Sequence, residues 1–196
     1  FNIDSFIEFQ SGYNGEGDHP YTLLDGDDIL SDVLIGRISV RTFDQLNTII
    51  QKILHYEKGT FFNIPNFDNS WLERAALIGD PYPSGNSTII TNQYIGETIL
   101  NTGFNEIITN YGEQDIDSWM VESINQGVSY LNYRGWWGVS GFSQDEVNSL
   151  TNSLKLPFTT LITCGTGSFS EEDNSLSESI VRSGTVNNPT GAIAAI

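Results

Sequence analysis

The sequence predicts an α/β protein, a three-layer α/β/α sandwich around a mostly parallel sheet. Strand-like apolar runs alternate with helix-like segments of three-to-four spacing along the whole chain, with no internal repeat. Glycine turns follow the apolar runs. A tight turn at the C-terminal end of each strand, with a helix leading to the next, is the pattern of right-handed parallel crossovers. In such sheets reactive groups gather where the strands end.

Taken in order, residues 1–31 are mixed, with a glycine- and acid-rich stretch at 12–28 in which Gly15, Gly17, Asp18, Asp25, Gly26, Asp27 and Asp28 are turn formers. Residues 33–40 (VLIGRISV) read as a buried strand. Thr42 caps a helix in which Leu46, Ile49, Ile50, Ile53, Leu54 and Tyr56 recur at helical spacing, and Gly59 stops it. His55 lies near that helix's C-terminal end, where a packed, hydrogen-bonded imidazole is the expected role. Residues 60–70 form an irregular aromatic loop, and Trp71 and Leu72 lead into a strand at 75–79 that ends at Asp80. A helix at 91–102 is stopped by Gly103, and a short strand covers 106–111. A third helix runs from Asp115 to Gly127. The strand that follows ends in Arg134-Gly135-Trp136-Trp137-Gly138. Ser143 caps a helix at 143–153. A strand at 158–164 closes on Cys164 before Gly165-Thr166-Gly167-Ser168, a helix covers 174–183, and the run at 191–196 is the last strand.

At 196 residues the chain is read as one domain, 1–196, long enough to bury a real core. Its abrupt start and apolar finish suggest a piece excised from a longer protein. The 25 acidic against 8 basic residues give a net charge of −17, which disfavours nucleic acid and anionic membranes as partners. No apolar run approaches the ~20 residues of a membrane span. A single cysteine excludes an internal disulfide framework and a cysteine-rich metal site. The acidic loop is a Ca²⁺ candidate, although it lacks the twelfth-position glutamate of an EF-hand; the chemistry itself requires no cofactor.

Cys164 stands where a thiol can attack a bound carbonyl, with the backbone N–H groups of Gly165 and Thr166 as an oxyanion hole. A lone cysteine is equally well a small buried hydrophobe. A catalytic thiol also needs a proton acceptor, normally histidine. The chain has His19, in the acidic loop, and His55, on a helix; neither follows a strand end.

The run Ile35-Gly36-Arg37-Ile38-Ser39-Val40, the helix closing in His55-Tyr56-Glu57, and Trp71-Leu72 before the next strand resemble the opening of a gingipain-type cysteine peptidase domain. Leu131-Asn132-Tyr133-Arg134-Gly135 resembles the segment before that family's catalytic His-Gly, and Cys164 with Phe169 five residues on resembles its nucleophile segment. The likeness runs from about residue 18 to the C-terminus. It implies a caspase-like fold, endopeptidase activity on a polypeptide substrate, frequent Ca²⁺ binding, and secretion or surface display by Bacteroidota-type bacteria. Cys164 matches the nucleophile. Trp136 falls on the catalytic histidine, His19 matches no functional position, and His55 matches a structural one. Asp80 lies near the strand end where a supporting carboxylate is expected.

An indole nitrogen only donates, so Trp136 cannot take a proton. Unassisted, a thiol is only a few per cent thiolate at pH 7, and losing a general base costs about 10²–10⁴ in rate. The sequence therefore supports two readings: a peptidase that is weak or inactive, with a thiolate favoured at most by Arg134, or a pseudo-peptidase kept for binding. Adjacent tryptophans in a glycine-flanked turn either pack into the core or cleft wall, or meet a ligand from the cleft formed with Arg134 and Asp80.

Overall fold

The computed structural model describes residues 6–7, 16–169 and 174–196. Strands β1 (Phe6–Ile7) and β2 (Glu16–Gly17) pair antiparallel; residues 12–15 of the expected acidic loop lie outside the described residues. The rest alternates as α1 (Phe43–Glu57), β3 (Arg74–Gly79), α2 (Ser87–Ile99), β4 (Glu106–Asn110), α3 (Ile116–Gln126), β5 (Tyr130–Trp137), α4 (Gln144–Asn148), β6 (Phe158–Cys164), α5 (Leu176–Arg182) and β7 (Ala194–Ala195).

These strands form one parallel five-stranded sheet in the order β4-β3-β5-β6-β7. Successive side chains of a strand point to opposite faces, which divides the core. On one face Ala76, Ile78, Leu131, Tyr133 and Leu161 meet Ile116, Met120 and Ile124 of α3, Val147 of α4 and Ile180 of α5. Each fully buried aliphatic side chain here contributes about 1.5–3 kcal/mol of transfer free energy. On the other face α2 covers β3 and β5. There Gly96 lets the helix approach Leu77, where an added Cβ would stand 3.3 Å from a leucine methyl. Asn92 of α2 donates to the carbonyls of Ile78 and Thr88 and accepts from Asn132 of β5 at 2.8 Å, so this buried polar cluster is satisfied. Helices on both faces of a parallel sheet make the three layers expected.

Several boundaries differ from expectation for local reasons. The largest departure is residues 33–40, which pair with no strand among the described residues and are mostly exposed. Arg37 and Val40 are half-buried, and so is Ser39. Its carbonyl accepts from Arg182 Nε at 2.7 Å and its hydroxyl bonds to Glu178 and Arg182 of α5.

In α1 the Thr42 cap holds, but the buried stripe is Thr48, Ile49 and Lys52, with Ile50 and Leu54 exposed. Lys52 Nζ donates to the Val181 carbonyl at 2.8 Å, and burial pulls its pKa down to about 7. The aromatic loop at 60–70 includes the short 3₁₀ turn Thr60–Asn63. A second, Ser70–Glu73, buries Trp71 among Tyr56, Phe61 and Phe67.

α2 begins earlier than expected, because a left-handed turn at Gly85 delivers the chain to the sheet at Ser87. α4 stops at Asn148, well short of 153. Residues beyond it enter an irregular loop with Ser153 at φ 52° and Asn152 bonded to Lys155 and Gly191. Ser143 and Ser175 each form the capping box their sequences encode. β7 shortens to two residues, its start displaced by Gly191 at φ 83°, where a Cβ would strike the Ile180 carbonyl. No helix among the described residues is long and apolar enough to cross a membrane.

Candidate active site

β5 and β6 run side by side, and their C-terminal ends form the candidate site. Register is regular up to Arg134 opposite Ile162. Trp137 then stands opposite Cys164, so three steps on β5 match two on β6. This bulge falls at Gly135 and Trp136 and re-aims the end of the strand. Gly135 is obligatory: the Tyr133 hydroxyl crosses it so closely that an added Cβ would lie 2.2 Å away. The two ends are stitched together by Gly138 N donating to the Cys164 carbonyl and Thr163 Oγ1 donating to the Gly138 carbonyl, both at 2.9 Å.

Cys164 is an exposed free thiol, not a buried hydrophobe. Gly165 turns at φ 81°, and the Trp137 indole packs over it: a Cβ at Gly165 would meet the ring at 3.6 Å. Thr166 is buried, and its carbonyl accepts from Ser177 N of α5 at 2.9 Å, which ties the loop after the thiol to a helix. The two tryptophans are not core. Trp136 is 63% exposed and Trp137 71%, so core packing, one of the two roles open to them from sequence, is corrected to a surface position beside the thiol.

Asp80 sits at the end of β3 but is buried, and its carboxylate serves the neighbouring turn. Oδ2 accepts from the Tyr133 hydroxyl at 2.9 Å and from Ser140 Oγ at 2.5 Å, while Oδ1 accepts from Tyr82 N at 3.0 Å. Tyr133 enters and Ser140 leaves the Trp136–Trp137 turn, so one carboxylate holds both of its flanks. Burial, with the Asp80 charge adding to it, pushes the Tyr133 phenol up to about 12. Arg134 donates to Thr91 of α2 at 2.8 Å.

The histidines are engaged elsewhere. His55 Nδ1 lies 2.6 Å from Thr60 Oγ1 at the end of α1, and His19 Nε2 lies 3.0 Å from the Ile29 carbonyl. The carboxylates of Asp18, Asp28 and Asp32, in and beside the acidic loop, are engaged with protein partners. Asp18 chelates Arg37, Asp32 accepts from the Leu24 and Asp25 amides, and Asp28 accepts from Leu30 N. Among the described residues no cluster of three or more His, Cys, Asp or Glu is arranged to hold a metal ion.

Two contributors were not legible in the sequence. Ser140 and Tyr133 meet on Asp80 only through the bulged turn. Arg37 lies 4.8 Å above the ring of Phe169, a contact that joins residues 19 to 132 positions apart through Asp18 and the loop after the thiol.

A parallel α/β/α sandwich carrying an exposed thiol at a strand's C-terminal end, followed by a glycine turn, has the build of a caspase-like cysteine peptidase. Sequence comparison identifies the family: residues 4–196 match the model of peptidase family C25, and the chain belongs to it as a gingipain-type member. It is 31% identical over 191 residues to gingipain R2 and to gingipain R1 of Porphyromonas gingivalis, covering 92% of this chain but only 25% and 19% of those proteins. The crystal structure of the Arg-specific cysteine proteinase gingipain R superposes with a TM-score of 0.81 at 29% identity, over 97% of this chain and 45% of that one. A complex of gingipain R pro- and mature domains matches equally well, over 46% of its chain. The chain thus spans less than half of these solved relatives and a quarter or less of the curated ones.

Proposed function

We propose that this is a gingipain-like cysteine peptidase domain whose thiol lacks its general base, so that it hydrolyses peptide bonds weakly or not at all. The observation that carries the reading is the pairing of Trp137 with Cys164, which puts the Trp136–Trp137 turn, and no imidazole of that turn, beside the exposed sulfur. Peptide hydrolysis at this turn would proceed by attack of the Cys164 sulfur on the scissile carbonyl. The Gly165 and Thr166 amides would face the developing oxyanion, and a base would take the thiol proton. Family membership and the exposed thiol support the first two requirements. Trp136 supplies no acceptor for the third.

A second reading, a pseudo-peptidase that binds a polypeptide segment, is favoured by the same two indoles. Large aromatic rings left more than half exposed at the mouth of a site are costly unless a partner covers them. Family membership supports export to the cell surface or medium for either reading.

Purified protein incubated with a thiol-specific irreversible probe and a mixed peptide library tests the base-deficient reading. Slow labelling of Cys164 and no cleavage supports the base-deficient reading. Rapid labelling, with cleavage abolished in Cys164→Ala, would sink it. Trp136→His is expected to raise labelling and cleavage rates by about 10²-fold or more if this slot is the base position.

A further inference from the structure

We propose that Arg134 is the specificity determinant of the strand-end site, and that the polypeptide bound there carries a carboxylate beside the residue held at Cys164. This deepens the peptide-site reading above and rests on it. Arg134 lies on the α2 face of the sheet. Asn132 and Arg134 alternate with Tyr133, bond to Asn92 and Thr91 of α2, and stand opposite Thr160 and Ile162 of β6. Cys164 is two residues beyond Ile162 on the same strand and shares that face. With about 4.8 Å between strands and about 3.3 Å per residue, the Arg134 and Cys164 backbones lie about 8 Å apart.

That face is open over the end of β6. Ile162 is 46% exposed and the Cys164 thiol is exposed, while Thr159 and Leu161 on the opposite face are buried. Arg134 itself is half-buried beside this opening. Its guanidinium carries five N–H donors, yet among the described residues its one hydrogen bond is to the Thr91 hydroxyl at 2.8 Å. Thr91 is fixed in turn, because its hydroxyl donates to the Ser87 carbonyl at 2.8 Å. Arg37, Arg74 and Arg182 each pair with a carboxylate. The chain has 25 acidic residues against 8 basic, and an oriented guanidinium with no carboxylate among the described residues is built to receive one from a ligand.

The ligand chemistry follows from the shape of the donor. A guanidinium fork meets a carboxylate with two parallel hydrogen bonds, which a carboxamide or an ammonium group cannot reproduce. In an extended peptide, side chains on one side repeat about every 7 Å, close to the Arg134–Cys164 spacing. A carboxylate on Arg134 therefore belongs within about two residues of the carbonyl at the sulfur, as an Asp or Glu side chain or as the chain end. The exposed Trp136 and Trp137 rings offer apolar surface to the rest of the segment. The net charge of −17 opposes an acidic segment at long range, so selection rests on this close contact.

Calorimetric titration of the purified protein with pools of end-blocked octapeptides tests this. Each pool holds Asp, Asn or Lys at one position among neutral residues, and a further neutral pool has a free C-terminus. The expected result is that the Asp pool or the free-C-terminus pool binds about 10-fold or more tightly than the Asn pool, and which of them does so names the source of the carboxylate. Arg134→Gln should remove that difference, and Arg134→Lys should retain part of it. The Asp-to-Asn ratio is read on the wild type itself, so it decides even if a variant fails to fold. Equal affinity for the Asp, Asn and free-C-terminus pools overturns the proposal but leaves the peptide site standing, as does tighter binding of the Lys pool. A carboxylate preference unchanged in Arg134→Gln also overturns it. Binding of no pool at all overturns both this proposal and the peptide-site reading.

Discussion

The Arg37 guanidinium lies 4.8 Å above the Phe169 ring while its Nε and Nη2 both donate to the Asp18 carboxylate. This contact fastens the loop that follows the thiol to the segment before α1. Asp18 also holds the guanidinium pKa above its usual value.

Replacing Arg37 with Ala should therefore destabilise the protein by about 1–2 kcal/mol, and Phe169→Leu by about 0.5–1 kcal/mol, read from denaturant midpoints. A double-mutant cycle should return a coupling of about 0.5–1 kcal/mol. Strict additivity would show that the stacking contributes nothing.

The Glu178–Arg182 pair is one turn apart on α5 and nearly inaccessible to water. Desolvation is the largest influence on Arg182 and lowers its pKa, against the Glu178 charge that raises it. Glu178→Ala leaves a buried cation without its partner and should cost about 3–5 kcal/mol. Replacing both, as Glu178→Leu with Arg182→Met, should cost less than that single change. A larger loss in the double variant would mean that the Ser39 anchor matters more than charge pairing.

Lys52 makes stability depend on pH. Its pKa is about 7 in the folded protein, from burial, against about 10.4 in an unfolded chain. Between these values the unfolded state binds more protons, so stability rises with pH. At and below about pH 7 both states carry the charge and the burial cost is present in full. The stability advantage of Lys52→Met over wild type should thus be largest below about pH 7, a few kcal/mol at most, and shrink as pH approaches about 10. Parallel urea titrations at pH 6, 8 and 10 measure it, and a constant difference would exclude the coupling.

Asp80 fastens the turn that bears the two exposed tryptophans. Asp80→Ala strands the Tyr133 hydroxyl in the interior and should cost about 2–3 kcal/mol. Because Trp136 and Trp137 ride on that turn, their emission and its quenching by acrylamide should change as well. In Tyr133→Phe, which leaves the carboxylate its Ser140 and Tyr82 partners, the loss should be nearer 1 kcal/mol. Unchanged fluorescence in Asp80→Ala would show that the turn holds itself.

Where local pattern and tertiary environment agree, the sequence is readable. The strand at 158–164 and the helix between Asp115 and Gly127 appear where periodicity and glycine stops put them. The serine cap at 143 does too, because a cap is settled within four residues. α4 is shorter than its pattern, since apolar spacing continues through Leu150 while the backbone has already left the helix to meet Gly191 through Asn152. Residues 33–40 mislead for another reason: their pattern is that of a strand, but pattern alone supplies no partner, and no described strand pairs with them.

By itself the sequence determined the layer architecture and the thiol at the end of the 158–164 strand. These depend on residue identity and short-range spacing. Only the tertiary structure decided that both indoles face solvent beside Cys164, and that Asp80 clamps Tyr133 and Ser140. It alone placed Arg37 on Phe169, 132 positions away. These contacts arise from the crossovers of the parallel sheet and a one-residue bulge, and such long-range geometry leaves no periodic trace in the chain.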